Sequence, residues 1–493
     1  MILAIDQGTT NTKALLIDGE GKPRARASAP MRVTTLNSNW VEQDPEDIWR
    51  SVQQAVAECL RQQPEVTIAG VAISNQRETV VAWDRKSGRA VAPAIVWQCR
   101  RSEAICERLR ANGQAEMLRE KSGLAIDTLF SASKMSWLLE NVAGLRERAQ
   151  AGKVCFGTVD SWLISRLTEG RVHACDASNA SRTQLLNLEQ CAWDEELLRV
   201  FGVPRATLPE VRDSSGCFGR CSGVARLKDV PIVSAMGDSH AAMAGHGSYV
   251  PGTVKATYGT GSSLMTLLPT RAASAEGLAT TIAWRLGGKT QYAIEGNIAM
   301  TGAAVAWVGE FLGLEEPIEG AARLASSVDG SEGVYFVPAM SGLGAPYWDG
   351  QAKGCVSGLT RTSRAAHLAR AAVEAIAFQV RDVFDAMARG AGYDLAALHA
   401  DGGATRNDVL MQFQADLLGR PVVRSGCEDL SALGAAWFGG LALGCWASTD
   451  ELAQLPQETQ SFPPRRNGTE SEQLYLEWQT AVKRARLREG AEA

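Results

Sequence analysis

The 493-residue chain is short of several features that would fix its class at once. It has no long apolar run. The strongest candidate, SALGAAWFGGLALGCW (residues 431–446), is brief and glycine-rich, so it reads as a buried core helix rather than a membrane span. Positive charge is not in excess: the formal net charge of −5 leaves no electrostatic footprint for nucleic acid. The five histidines are dispersed, which argues against a transition-metal centre built by the protein. The 11 cysteines are an odd number without framework spacing, and the one close pair, Cys217 and Cys221, has no partner pair beyond it. Free, mostly buried thiols in a reducing compartment are therefore expected. A basic leader and cleavage site are also missing at the N-terminus, so the expected location is cytoplasmic.

Two familiar nucleotide signatures are absent as well. There is no G-x-x-x-x-G-K-[ST] and no dinucleotide fingerprint after the first strand. What remains is an ordinary globular composition, 45% hydrophobic and 21% charged, in a chain long enough for two or three domains.

Against that background three turns stand out: DQGTTNTK (6–13), YGTGSS (258–263) and DGGATRN (401–407). The first two lie in matching contexts. Residues 2–18 and 252–268 each read as an apolar strand, a Gly/Thr/Ser turn and a second apolar strand. Two such hairpins about half a chain apart suggest two related α/β domains facing each other. Helical periodicity follows at 44–61 and 364–389, the latter with Thr362 and Ser363 available as N-caps. A short strand at 396–400 leads into the third turn and a helix at 408–418. The Gly and Pro of AGHGSYVPG (244–252) mark a domain boundary, giving expected domains 1–245 and 246–493.

Glycine turns offer backbone N–H groups and hydroxyls to an anion, and the third turn sits where a helix N-terminus favours phosphate. Asp6, at the end of a buried strand, is the candidate ligand for a hydrated Mg²⁺, which needs only one or two carboxylates beside phosphate oxygens.

The order of these turns is that of ATPases of the actin, hexokinase and Hsp70 type, and the residues between them resemble the FGGY carbohydrate kinases, glycerol kinases most of all. The resemblance spans nearly the whole chain. It is carried by NWVEQDPEDIW (39–49), SNQRETVVAWD (74–84), AIVWQCRRS (94–102), FGTVDSWLISRLTEGRVHACDASNASRT (156–183), GDSHAA (237–242), SGLGAPYWD (341–349) and DGGATRND (401–408). It implies an α/β fold of two ribonuclease H-like domains flanking an ATP cleft. It also implies an ATP- and Mg²⁺-dependent transfer to a primary hydroxyl of a small polyol or ketose.

Residue by residue, the resemblance makes Asp238 the general base, a position that by itself would also suit a helix N-cap. Arg77 would donate to acceptor hydroxyls and Glu78 would accept from them, although such neighbours are often a solvated ion pair. Trp97 would lie along the acceptor's carbon chain or, failing that, in the core. On the nucleotide side Thr10, Asn11 and Thr12 match the first phosphate turn and Thr260 the second. Gly302 matches the position beside the nucleotide, and Gly403 and Asn407 match the adenosine turn.

Departures from the pattern concentrate around the acceptor. Leu129 stands where glycerol kinases normally have Tyr, Ser239 where Gln is usual, and Ser263 where Phe is usual. Cys99 replaces an Asp. On the nucleotide side Lys13 takes a position that is often Arg, and Ala306 replaces a Gln. The pocket is therefore expected to be larger and wetter, and to favour a four- or five-carbon polyol or ketose, or a branched relative, over glycerol. A glycerol kinase proper and a non-catalytic nucleotide switch or sugar sensor are the alternatives. A homo-oligomer is left open.

Overall fold

The computed structural model describes residues 1–37, 39–271 and 276–488. The first hairpin pairs β1 (Ile2–Gln7) with β2 (Asn11–Ile17), setting Asp6 opposite Lys13 and Gln7 opposite Thr12. β3 (Pro23–Pro30) continues the meander beyond β2, while β4 (Gly70–Asn75) and β5 (Ile232–Gly237) add parallel strands beyond β1. The sheet order is β3-β2-β1-β4-β5. β1, β4 and β5 are near-continuous apolar runs because both faces of this sheet are covered.

The second sheet repeats the plan. Its strands are β6 (Thr253–Tyr258), β7 (Ser262–Leu268), β8 (Ala279–Leu286), β9 (Lys289–Ile298), β10 (Ala397–Asp401), β11 (Val422–Ser425) and β12 (Thr459–Phe462). They run in the order β8-β9-β7-β6-β10-β11-β12. Without the edge strands β8 and β12, this is again an antiparallel meander of three followed by two parallel strands. The α/β architecture of two ribonuclease H-like domains is thus present, and the two hairpins are its paired entry points.

The helices used below are α1 (Pro45–Arg61), α2 (Ser131–Asn141), α3 (Ala177–Ala180), α4 (Asp238–Gly245), α5 (Gly302–Phe311), α6 (Ala365–Ala391), α7 (Asp408–Leu418) and α8 (Leu430–Leu443). Asp44 caps α1 by accepting from the Glu46 N–H, and Asn407 caps α7 through the Leu410 N–H. One cap differs from expectation. Arg364 is the N-cap residue of α6, because the Ser363 hydroxyl is already engaged by the Thr360 N–H in the preceding turn.

The helix expected from residues 431–446 is α8, and it ends at Gly444 in the left-handed region. With α4 it fills the layer between the two sheets. There Ile2, Ala4, Leu15, Ala72 and Met236 of the first domain share one apolar cluster with Met265, Leu267 and Ala283 of the second. The two helices touch backbone to backbone. A Cβ built on Gly434 would lie 1.9 Å from the Ala241 carbonyl oxygen, and one on Gly245 would lie 2.3 Å from that of Leu430. Beyond α4, His246 Nε2 meets Asp401 Oδ2 at 2.7 Å, so the end of this helix is joined to the last residue of β10.

Among the described residues no helix is long and apolar enough to cross a membrane. All eleven cysteines are free and most are buried. The α4–α8 contact generates a test. Gly434→Ala should lower the unfolding free energy by about 1–3 kcal/mol or more, since the obstacle is backbone that cannot rotate away. Urea denaturation measures it, and an unchanged midpoint would refute so close a contact.

Candidate active site

Arg77 leaves the end of β4 and runs beneath the start of α4. Gly237 makes that passage possible, because a Cβ there would stand 2.7 Å from Arg77 Cδ. The Gly237 N–H is held by Ser178 Oγ of α3 at 3.0 Å, which fixes the strand end from which Asp238 projects. Gly237 is the N-cap residue, and Asp238 is the first residue of α4. The Asp238 side chain is 38% exposed, while Arg77 is only 8% exposed. Arg77 Nε donates to Asp238 Oδ1 at 3.1 Å.

The rest of the Arg77 fork points into the protein. Its Nη1 and Nη2 donate to Glu295 Oε2 and Oε1 at 2.9 and 2.7 Å, a bidentate pair, and Nη2 also reaches Ser239 Oγ at 3.2 Å. Glu295, on β9, is fully buried. It is shared with Arg182, also fully buried, whose Nη1 lies 2.8 Å from Oε2 as an ion pair without hydrogen-bond alignment. Arg182 Nε in turn donates to Glu78 Oε1 at 2.6 Å. Arg77, Glu295, Arg182 and Glu78 therefore form one chain of alternating charge, with Asp238 at its exposed end.

Burial alone would push the Glu295 carboxyl up. The charges of Arg182 and Arg77 more than reverse this and hold it well below the ordinary carboxylate range. For Arg77 burial likewise opposes the charge, and Glu295, Glu78 and Asp238 raise its pKa beyond the usual guanidinium value. Both groups are therefore locked in their ionised forms.

Glu78 has φ of 61°, a left-handed backbone that is rare for a non-glycine residue. The Thr79 N–H turns back to the Arg77 carbonyl at 2.7 Å, and Ser131 Oγ donates to the Glu78 carbonyl at 3.1 Å. This tight turn lets adjacent residues reach two different partners. Leu129 lies in the loop just before Ser131, half-buried against Leu124, Phe130 and Ala279. The loop is clamped by the buried Lys134 ammonium of α2, which donates to the carbonyls of Thr128, Leu129 and Phe130. Burial lowers the Lys134 pKa to about 8. Trp97 is half-buried, and its indole N–H donates to Thr9 Oγ1 at 3.0 Å, which ties it to the first glycine turn. Cys99 is buried behind it and accepts from Arg101 Nε at 3.0 Å, while Arg101 stacks over Trp40 and Trp137.

In the first turn Thr10 and Asn11 are exposed, but Thr12 is fully buried and its hydroxyl is bound to Ser51. Only the first two offer side chains to solvent. Lys13 makes a 2.8 Å ion pair with Asp429, at the start of α8, which Arg26 also meets at 2.7 Å. Asp6 accepts from Ser74 Oγ at 2.9 Å, and burial pushes its carboxyl up to about 6 with Lys13 opposing and Asp238 reinforcing the shift. Thr260 is exposed at the second turn, which is bonded to the start of α5 through Gly302 N–H to Gly259 carbonyl at 3.0 Å. Ala306 sits one turn along α5 and is half-buried. Gly403 lies in open space in the third turn, and Asn407 is spent in part on capping α7.

Sequence reasoning missed Arg182 and Glu295. A glutamate within YAIEGNIA, the apolar strand β9, and an arginine closing DASNASRT were the available signals. It missed as well the buried Lys255 of β6, whose Nζ has no hydrogen-bond partner and whose pKa is lowered by burial. Among the described residues no group of three or more His, Cys, Asp or Glu could hold a metal ion.

Two such domains, with a glycine turn from each sheet and a carboxylate opening the helix between them, have the actin/hexokinase-like architecture of nucleotide-using enzymes. The comparisons with known proteins give the family. Residues 1–245 match the N-terminal domain and residues 254–443 the C-terminal domain of the FGGY family of carbohydrate kinases. An apulose kinase of Pectobacterium atrosepticum is 47% identical over 491 residues, covering 99% of both chains. A glycerol kinase of Citrifermentans bemidjiense is 47% identical over 485 residues, covering 98% of each. The crystal structure of Plasmodium falciparum glycerol kinase with ADP superposes with a TM-score of 0.92 at 31% identity, over 99% of this chain and 98% of that one. The chain belongs to the FGGY family of carbohydrate kinases, ATP-using enzymes that phosphorylate an alcohol group.

The buried charge chain predicts how stability responds to pH. The Glu295 pKa is depressed on folding, so its contribution is fully present above its unfolded value and is lost as pH falls through the folded one. Below about pH 4.5 wild-type stability should decline more steeply than that of Glu295→Gln. At pH 7 the substitution should cost about 3–5 kcal/mol, because two buried guanidinium groups lose their counter-charge. Denaturant titrations at pH 3.5–8 measure both effects, and parallel curves for the two proteins would refute them.

Proposed function

We propose that this enzyme uses ATP and Mg²⁺ to phosphorylate a primary hydroxyl of a polyol or ketose that is larger or more polar than glycerol. The observation that carries the reading is the pair Ser239 and Ser263. They stand where the family resemblance expects Gln and Phe, and they lie on the Arg77–Glu295 cluster beside Asp238. Small hydroxyls in place of an amide and an aromatic ring widen that side of the site and add polar surface.

In this reading residues 1–245 carry the acceptor side and the base, and residues 246–493 carry the nucleotide. Asp238, the exposed end of an otherwise neutralised charge chain, takes the proton of the acceptor hydroxyl. Its bond to Arg77 fixes the carboxylate. Arg77 and Glu78 orient the acceptor's hydroxyls, Trp97 and Leu129 line its carbon chain, and Thr10, Asn11, Lys13, Thr260, Gly302, Gly403 and Asn407 face the nucleotide. Asp6 suits Mg²⁺: its carboxyl is disfavoured as an anion by burial and by Asp238, so a cation there would relieve both. The ion supplies charge neutralisation for the phosphates. Lys13, held by Asp429, adds a positive charge on the same hairpin.

The decisive experiment is a coupled ADP-release screen over C3 to C6 polyols and ketoses, with glycerol and apulose included because relatives bear those names. A C4 or C5 compound, or a branched one, should exceed glycerol in kcat/KM; glycerol above all of them would favour a glycerol kinase proper. No turnover with any acceptor would favour a sensor. Asp238→Asn should lower kcat by about 10²–10⁴-fold with ATP binding intact by calorimetry. A variant that keeps a third of wild-type kcat removes Asp238 from the mechanism.

A further inference from the structure

The two serines are linked, and the direction of their hydrogen bonds is fixed. Arg77 Nη2 reaches Ser239 Oγ at 3.2 Å, Ser239 Oγ reaches Ser263 Oγ at 3.2 Å, and Ser263 Oγ reaches Glu295 Oε1 at 2.8 Å. A guanidinium can only donate, and an ionised carboxylate can only accept. The chain therefore has one consistent polarity: Arg77 to Ser239, Ser239 to Ser263, Ser263 to Glu295. Each hydroxyl has spent its single proton, and each oxygen has accepted one bond and keeps one free lone pair. Reversal would require a protonated Glu295, and its two arginines hold that carboxyl ionised. Ser263 is partly exposed, and Ser239 shares the Arg77 guanidinium with Asp238, the group assigned as base.

We propose that Ser239 and Ser263 form an acceptor subsite that reads one additional substrate hydroxyl as a hydrogen-bond donor, and that it rejects a carbonyl or ether oxygen at that place. The inference rests on the proposed function and sharpens it. The distinguishing feature of the preferred acceptor is an extra O–H beyond those of a three-carbon polyol, and any keto group must lie elsewhere in the bound molecule. A carbonyl there would set lone pair against lone pair with no proton between them.

The test uses the full-length enzyme and kcat/KM for erythritol, D-threitol, xylitol, apulose and glycerol. In the wild type at least one of the first four should exceed glycerol. Ser239→Ala and Ser263→Ala should each lower the ratio of that substrate to glycerol by about tenfold. Ser263→Cys, nearly the same size but a weak hydrogen-bonding group, should do the same and covers an alanine variant that fails to fold. Deoxyfluoro analogues of that substrate complete the cycle. Fluorine at one carbon should cost about tenfold in the wild type and little in the serine variants, because fluorine cannot donate. An unchanged substrate ratio in the variants, or a fluorine penalty equal in wild type and variants, overturns the subsite while the kinase reading stands. A wild type that prefers glycerol to all four also overturns it. Absence of ADP release with every acceptor overturns the proposed function itself.

Discussion

The bidentate pair between Arg77 and Glu295 is the interaction on which the rest of the site depends. It joins residues 218 positions apart, one at the end of a strand in the first sheet and the other in the middle of a strand in the second. Both are taken out of water, and burial of that kind is tolerable only when every charge is matched. Arg182 and Glu78 complete the match: two guanidinium groups face two carboxylates, and these four side chains carry no net charge. Asp238 is the fifth member, at the edge, and is the one with solvent access. A half-assembled protein would expose or orphan these groups, so this network exists only when both sheets are in place.

Other features follow from keeping that chain intact. Arg77 must pass under α4, hence glycine at 237. Glu78 must turn away from Arg77 toward Arg182, hence its left-handed backbone, bracketed by the Thr79 N–H and the Ser131 hydroxyl. Strain at such a residue persists only where neighbours over-determine it. Here the neighbours are two fixed ions and a loop that Lys134 clamps from beneath. Leu129 is carried on that same loop, so it and the charge chain share a support.

What was legible in the sequence was local. Both hairpins, the glycine turns and helices 44–61 and 408–418 announce themselves through periodicity and turn chemistry within a few residues. Arg77, Glu78, Asp238, Ser239 and Ser263, chosen from separate segments, come together in one network. Arg182 and Glu295 were not recovered because their meaning is a long-range pairing: Arg182 meets Glu78 across 104 positions. A charged residue in an apolar strand signals a buried partner but does not say which one. The role of Thr12 was overstated for the opposite reason. Strand alternation turns its hydroxyl inward to Ser51, a consequence of register that the turn motif alone does not show.

The short helix α4 gathers these constraints into one body. Asp238 opens it, and the Asp238 carbonyl accepts from Ser431 Oγ of α8 at 3.0 Å. His246 follows its other end and holds Asp401, the first residue of the third glycine turn, whose carboxyl is kept below the usual range by that contact despite burial. Asp238 and the third glycine turn are thus attached to opposite ends of one eight-residue rod. α8, in backbone contact with it, begins at Asp429, which binds Lys13 and Arg26 of the first hairpin and its neighbour. A rotation of one domain that kept α4 and α8 locked together would load the ion pairs at Asp429 and the bond at His246 first. Those are the polar, distance-sensitive contacts, and the glycine-to-carbonyl packing between the helices is the part that cannot give. The charged contacts at the ends of this helix pair are also the ones that join it to the first and third glycine turns.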